Sequence, residues 1–127
     1  MKYAIKILVC GSRNFANYEL MDTILFPYEC EAKDQDILPE ECCIVSGGAF
    51  GADSLAEKWA KENYWQTEIY KPDWEKNGKS AGFIRNQEMI DANPNLVVAF
   101  WDGQSKGTKH TIDLARKAKI PTLIAYF

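Results

Sequence analysis

The stretch Ile44-Val-Ser-Gly-Gly-Ala-Phe-Gly-Ala-Asp53 sets Gly47, Gly48 and Gly51 between an apolar run and an amphipathic segment. Strand, glycine turn and helix start, in that order, form a ready site for an anion. Backbone N–H groups are expected to point out of the turn, the helix dipole adds positive potential, and glycine permits close approach. Ser46, Gly47, Gly48 and Gly51 are therefore candidates to cradle phosphate or ribose. Asp53 has two readings: acceptor for ribose hydroxyls, or cap of the following helix. Three further stretches carry similar chemistry. Gly11-Ser-Arg supplies a sharp turn, Ser12, and the planar donor fork of Arg13, suited to phosphate or carboxylate. Trp74, with Phe50, offers a stacking surface. Lys79, Arg85 and Asn86 add charge and an amide, and Gly82 shares a helical face with Arg85. Asp102-Gly-Gln-Ser-Lys-Gly-Thr108 repeats the phosphate logic through Gly103, Ser105 and Gly107, with Thr108 placed to cap. His110 is a weaker candidate for a ligand contact. Each of these residues also has a plain structural role open to it, in a turn, a cap or a solvated helix face.

The elements that must position these residues follow from hydrophobic pattern. Tyr3–Cys10, Cys42–Ser46, Thr67–Tyr70, Leu96–Trp101 and Pro121–Tyr126 read as strands. All but the third are nearly continuous apolar runs, as expected for strands buried on both faces of a parallel sheet. Helical patterns occupy Asn17–Tyr28, Asp53–Asn63, Ser80–Asp91 and Thr108–Lys119. The acidic stretch Glu29–Glu41 reads as an exposed loop. Alternating strand and helix predicts a single α/β domain over residues 1–127: a Rossmann-like, doubly wound, mainly parallel sheet of about five strands flanked by helices. In such sheets ligands collect beyond the carboxyl ends of the strands, where the four polar loops fall.

Bulk properties narrow the partners. The 127 residues suit one domain with one core, and 46% hydrophobic content argues against disorder. With 15 basic and 18 acidic residues the formal charge is −3, which argues against a broad nucleic-acid footprint. The N-terminal segment is too short and too broken by lysine for a secretory signal, and no apolar run approaches the roughly 20 residues that span a membrane. A cytoplasmic location is expected. Cys10, Cys30, Cys42 and Cys43 form no CxxC pair, and His110 is the lone histidine, so no metal site is expected, and the reading calls for no cofactor. Core packing is the favoured role of Cys10 over a thiol nucleophile. Trp59, Trp65, Trp74 and Trp101 are many for this length and suggest a homo-oligomer, unless they fill the core.

Taken as an ordered set, Gly11–Phe15, Ser46–Asp53, Gly78–Asn86 and Phe100–Thr108 resemble the SLOG superfamily, which joins the DNA-processing protein A family with the LOG-type phosphoribohydrolases. More narrowly the chain is similar to small stand-alone SLOG proteins related to YspA. The resemblance implies a Rossmann-like fold that binds a nucleotide or nucleotide-derived ligand, as sensor, carrier or sequestering protein. It also implies two alternatives: hydrolysis of the bond between base and ribose phosphate, with Arg85 and Asp53 as catalytic candidates, and DNA binding. LOG-type hydrolases carry a catalytic glutamate three residues beyond a glycine-threonine pair; here Gly107-Thr108 matches and Thr111 stands at the glutamate's position. That departure favours holding a nucleotide over cutting it.

Overall fold

The structure is a computed structural model and describes residues 2–127. Its elements run β1 (Ile5–Gly11), α1 (Tyr18–Asp34), β2 (Cys42–Ser46), α2 (Ala52–Glu62), β3 (Gln66–Ile69), α3 (Trp74–Asn77), α4 (Ala81–Asp91), β4 (Leu96–Trp101), α5 (Lys106–Lys117) and β5 (Thr122–Tyr126). Single 3₁₀ turns at Pro39–Glu41 and Gly78–Ser80 lead into β2 and α4. All strand pairs are parallel, in the order β3-β2-β1-β4-β5. The expected doubly wound α/β sheet is therefore what the chain forms.

Side-chain alternation along the strands divides the core in two. Ile7, Val9, Ile44, Val98 and Phe100 pack on one face against α1 and α2. Leu8, Cys10, Val45, Val97 and Ala99 pack on the other against α4 and α5. Trp59 of α2 is fully buried and meets Trp65 edge-on, with ring centres 5.0 Å apart. Its indole N–H donates to Asp22 of α1 at 2.8 Å, so the one polar atom of this large side chain is satisfied. Trp59 and Trp65 are thus core residues. Trp101 is half-buried, with its N–H on the Ser105 carbonyl, and Trp74 is exposed.

Two expectations need correction. Glu29–Glu41 is not a loop throughout, because α1 continues to Asp34. The apolar positions Met21, Leu25 and Ala32 recur at helical spacing and are buried, and they carry the helix through an otherwise acidic stretch. Glu29 is itself buried on that face, with Lys33 one turn on at 3.7 Å. β5 is not covered on both faces. It is an edge strand on which Leu123 and Tyr126 are exposed.

The order places β1 beside both β2 and β4. The chain leaving β1 packs its helix on one face, and the chain leaving β4 packs α5 on the other. The two connections diverge, and a crevice opens beyond the carboxyl ends of β1 and β4.

Candidate functional site

Two cavities lie along the carboxyl edge of the sheet, of about 640 and 460 Å³. They share Arg13, Ala49, Arg85, Asn86 and Gly107, and so form two lobes of one cleft.

The smaller lobe sits over the β1–β4 crevice. Ser12 ties its walls together: its N–H donates to the Phe100 carbonyl at 2.9 Å, and its hydroxyl accepts the Asp102 N–H at 3.2 Å. Asp102 then accepts the N–H groups of Gln104 and Ser105, each at 2.9 Å, which closes the β4–α5 turn. Those hydrogen bonds hold its carboxyl below the usual range. Ser105 is the N-cap of α5 and accepts the Thr108 N–H; Thr108 lies inside the first turn and does not cap the helix itself. Thr111 also lines this lobe, with its hydroxyl on the Gly107 carbonyl at 3.3 Å. Cys10 forms part of the floor, where burial pushes its thiol up and keeps it a packed, neutral group.

The larger lobe is walled by the β2–α2 loop and the segment from β3 to α4. Phe50, Trp74 and Phe83 expose aromatic rings there, and Lys71 and Lys79 supply charge. The Trp74 ring lies over Gly82, where a Cβ would come within 3.8 Å of it.

The glycine turn does not behave as the sequence suggested. The Gly48 N–H donates inward to Ser46 Oγ at 3.2 Å, and the Ala49 N–H donates to Asp53 Oδ2 at 3.1 Å. Ser46 in turn donates to Glu57 at 2.7 Å, one helical turn beyond Asp53. Two α2 carboxylates therefore fold the turn back onto its own helix, and these two donors are taken. Asp53 is not the cap of α2; that position is Gly51, with φ at +79°. A Cβ at Gly51 would lie 2.5 Å from the Ser12 and Arg13 carbonyl oxygens, so only glycine fits. Burial outweighs the hydrogen bonds to Asp53 and raises its carboxyl to about 6.

Positive charge at the junction comes from side chains instead. Arg85 donates through Nη1 to the Gly47 carbonyl at 2.5 Å and the Tyr70 carbonyl at 3.2 Å. Its Nε donates to Asn86 at 2.9 Å. Asn86 is buried and donates in turn toward His110 and the Gly107 carbonyl, so it aims Arg85 and ties α4 to α5. Neither Arg13 nor Arg85 has a carboxylate within 4 Å among the described residues. Burial lowers the Arg85 pKa, the Asp53 charge opposes that, and the nearby Arg13 charge adds to it.

The cleft thus brings together Gly11, Ser12, Arg13, Gly47, Gly48, Asp53, Trp74, Lys79, Arg85, Asn86, Asp102, Ser105, Gly107 and Thr108. Ser46, Gly51 and Gly103 shape the loops without lining it. His110 lines neither lobe; it packs on Phe83 at 4.4 Å. Sequence reasoning missed Asn14, Lys71 and Phe83 as lining residues and Glu57 as a support. Lys71 and Asn14 carried a usable signal, since both fall in the loops that follow strands.

A doubly wound parallel sheet with a ligand-sized cleft at its switch point defines a Rossmann-like domain. The chain belongs to the YspA, cpYpsA-related SLOG family (YAcAr), whose sequence profile matches residues 5–77. Membership points to a nucleotide-related ligand. The Gene 61 protein of Mycobacterium phage D29 is similar along nearly the whole length, 35% identical over 123 residues, covering 93% of this chain and 94% of that protein. Among the described residues, no helix is long and apolar enough to cross a membrane.

Proposed function

We propose that this chain binds a nucleotide or nucleotide-derived molecule in the cleft at the carboxyl edge of the sheet, as a sensor, carrier or sequestering protein. The observation that carries the reading is the pair Arg13 and Arg85. Two guanidinium groups line both lobes with no carboxylate within 4 Å among the described residues, beside exposed aromatic rings. Such a pair is relieved by an anion, and a flat base suits the aromatic wall. Calorimetric titration of the native chain with nucleoside mono- and diphosphates tests it. Arg85→Ala should weaken binding about 10- to 100-fold, the loss of a charged hydrogen-bonded contact. Absence of binding by every nucleotide at millimolar concentration would sink the reading.

A second reading is hydrolysis of an N-glycosidic bond. It is favoured by Asp53, a buried carboxyl in the polar lobe raised to about 6 and so able to give up a proton near neutral pH. Chromatography of the same mixtures after incubation checks it: free base released by the native chain and not by Asp53→Asn establishes an enzyme. Self-association keeps one observation in its favour, the exposed Leu123, Tyr126 and Phe127 at edge strand β5. Native mass spectrometry measures it directly.

A further inference from the structure

We infer a second ligand site, at the opposite edge of the sheet from the cleft: a small cavity around Glu29 that binds a primary ammonium on a short aliphatic stem. It stands independently of the nucleotide reading. The cavity measures about 270 Å³. It lies where the C-terminal half of α1, the Pro39–Glu41 turn, the first residue of β2 and Trp65 meet. Ala32, Ile37, Leu38, Pro39 and Trp65 give it apolar walls. Sites for complete small molecules span about 300–1,000 Å³, so this one suits a ligand at the small end.

Charge decides what that ligand is. Glu29 lines the cavity with its side chain only 9% exposed. A carboxylate offers acceptor positions on both oxygens, and burying them is costly unless donors fill them. No donor among the described residues hydrogen-bonds to Glu29. Every fully enclosed side-chain oxygen and nitrogen does have a partner, so the Glu29 oxygens open onto the cavity. The nearest cation, Lys33, stands at 3.7 Å, beyond hydrogen-bonding distance, and its side chain is 75% exposed. That ion pair is screened by water and weak. The Cys42 thiol is already spent on the Leu38 carbonyl at 3.6 Å. Burial first, then the Glu29 charge, pushes this thiol up to about 11, so it stays neutral. Asp36 adds a second acidic side chain to the lining. An acidic pocket with unfilled acceptors calls for a cation that carries N–H donors. Among the described residues no group of three His, Cys, Asp or Glu side chains could hold a metal ion, so the cation is organic. An ammonium on Glu29, with its alkyl stem along Ile37 and Leu38, satisfies both the charge and the apolar walls.

Amide NMR spectra of the full chain, titrated with n-butylamine at neutral pH, test the site, with n-butanol and butyrate as the neutral and anionic matches. Only the amine should move the signals of the Trp65 indole and of residues 36–42, at millimolar concentration. Glu29→Gln keeps the shape, removes the charge, and should weaken the amine about tenfold or more. Lys33→Ala, at an exposed side chain, should tighten it about threefold or more, because the competing cation is gone. That variant carries the test if Glu29→Gln does not fold. Putrescine and Nα-acetyl-lysine amide compare two sources of such a head group, a free diamine and the lysine of a partner protein; tighter binding by either supports the site. Signals that stay still at tens of millimolar amine overturn it, and so does an equal response to butanol. An affinity that Glu29→Gln leaves unchanged, or that Lys33→Ala fails to raise, overturns it as well.

Discussion

The polar lobe rests on the ends of two central strands, β1 and β4, and its loops bond to one another through Ser12, Asp102 and Ser105. The aromatic lobe rests on the edge strand β3, the four-residue helix α3 and the start of α4, and its rings stand half or more exposed. One lobe is held by hydrogen bonds that cross between loops distant in sequence. The other is tied at its base by Arg85 on the Gly47 and Tyr70 carbonyls, but its rim is short local turns that present the large side chains to solvent. Mutations in the polar lobe should therefore disturb the fold and the site together, whereas mutations in the aromatic lobe should separate them.

The largest effect is expected at the seam between the first two loops. Gly51→Ala forces a side chain into a left-handed position and against the Ser12 and Arg13 carbonyls. Strain and overpacking together should cost about 4 kcal/mol, seen as a lower urea midpoint, and should weaken ligand binding as the polar wall shifts. A neutral Gly51→Ala would show that the polar lobe is not the interlocked one.

Asp53 gives the next effect, and its sign is fixed by burial. The folded carboxyl titrates near 6 against an ordinary value of 3.8, so the folded chain holds the extra proton between those values. The stability this lends is fully present below about pH 4 and is lost as pH rises through 6. Asp53→Asn cannot ionise, so its stability relative to the native chain should rise by up to about 3 kcal/mol from pH 4 to pH 7. Urea titrations at pH 4, 5, 6 and 7 measure the difference; a constant gap between the two proteins would mean that Arg85 and the Ala49 N–H compensate the burial in full.

The smallest effect sharpens the contrast from the other side. Trp74→Ala should change stability by no more than about 0.5 kcal/mol, as for exposed sites away from packing features. It should still weaken an aromatic ligand by about 1–3 kcal/mol, the worth of one base-stacking contact. A large loss of Tm would mean that Trp74 holds α3 and α4 together and is not a free stacking surface.

Much of the scaffold was legible because its signals are short-range. The apolar runs of β1, β2 and β4 are nearly continuous, and the α2 and α5 patterns carry clear apolar stripes. The second half of α1 was hidden because its buried face consists of Ala32 and a buried glutamate inside an acidic stretch. Short α3 was hidden because four residues carry no period. In the cleft, arginine after β1 and arginine on α4 were visible as candidate anion contacts. The hydrogen bond from Arg85 to the Gly47 carbonyl, 38 residues away, was not.

Sequence alone determined the strand–helix alternation, the glycines at the turns, and the polar, basic and aromatic residue types at the carboxyl edge. Those follow from steric and hydrophobic rules that act within a few residues. Tertiary structure decided which groups face the cleft. Glu57 and Asp53 draw the glycine turn's N–H groups inward, Asn86 aims Arg85, and strand order divides the cleft into an aromatic and a polar lobe. A hydrogen-bond donor takes whichever acceptor packing brings within 3 Å, and that choice is made only when distant segments are in place.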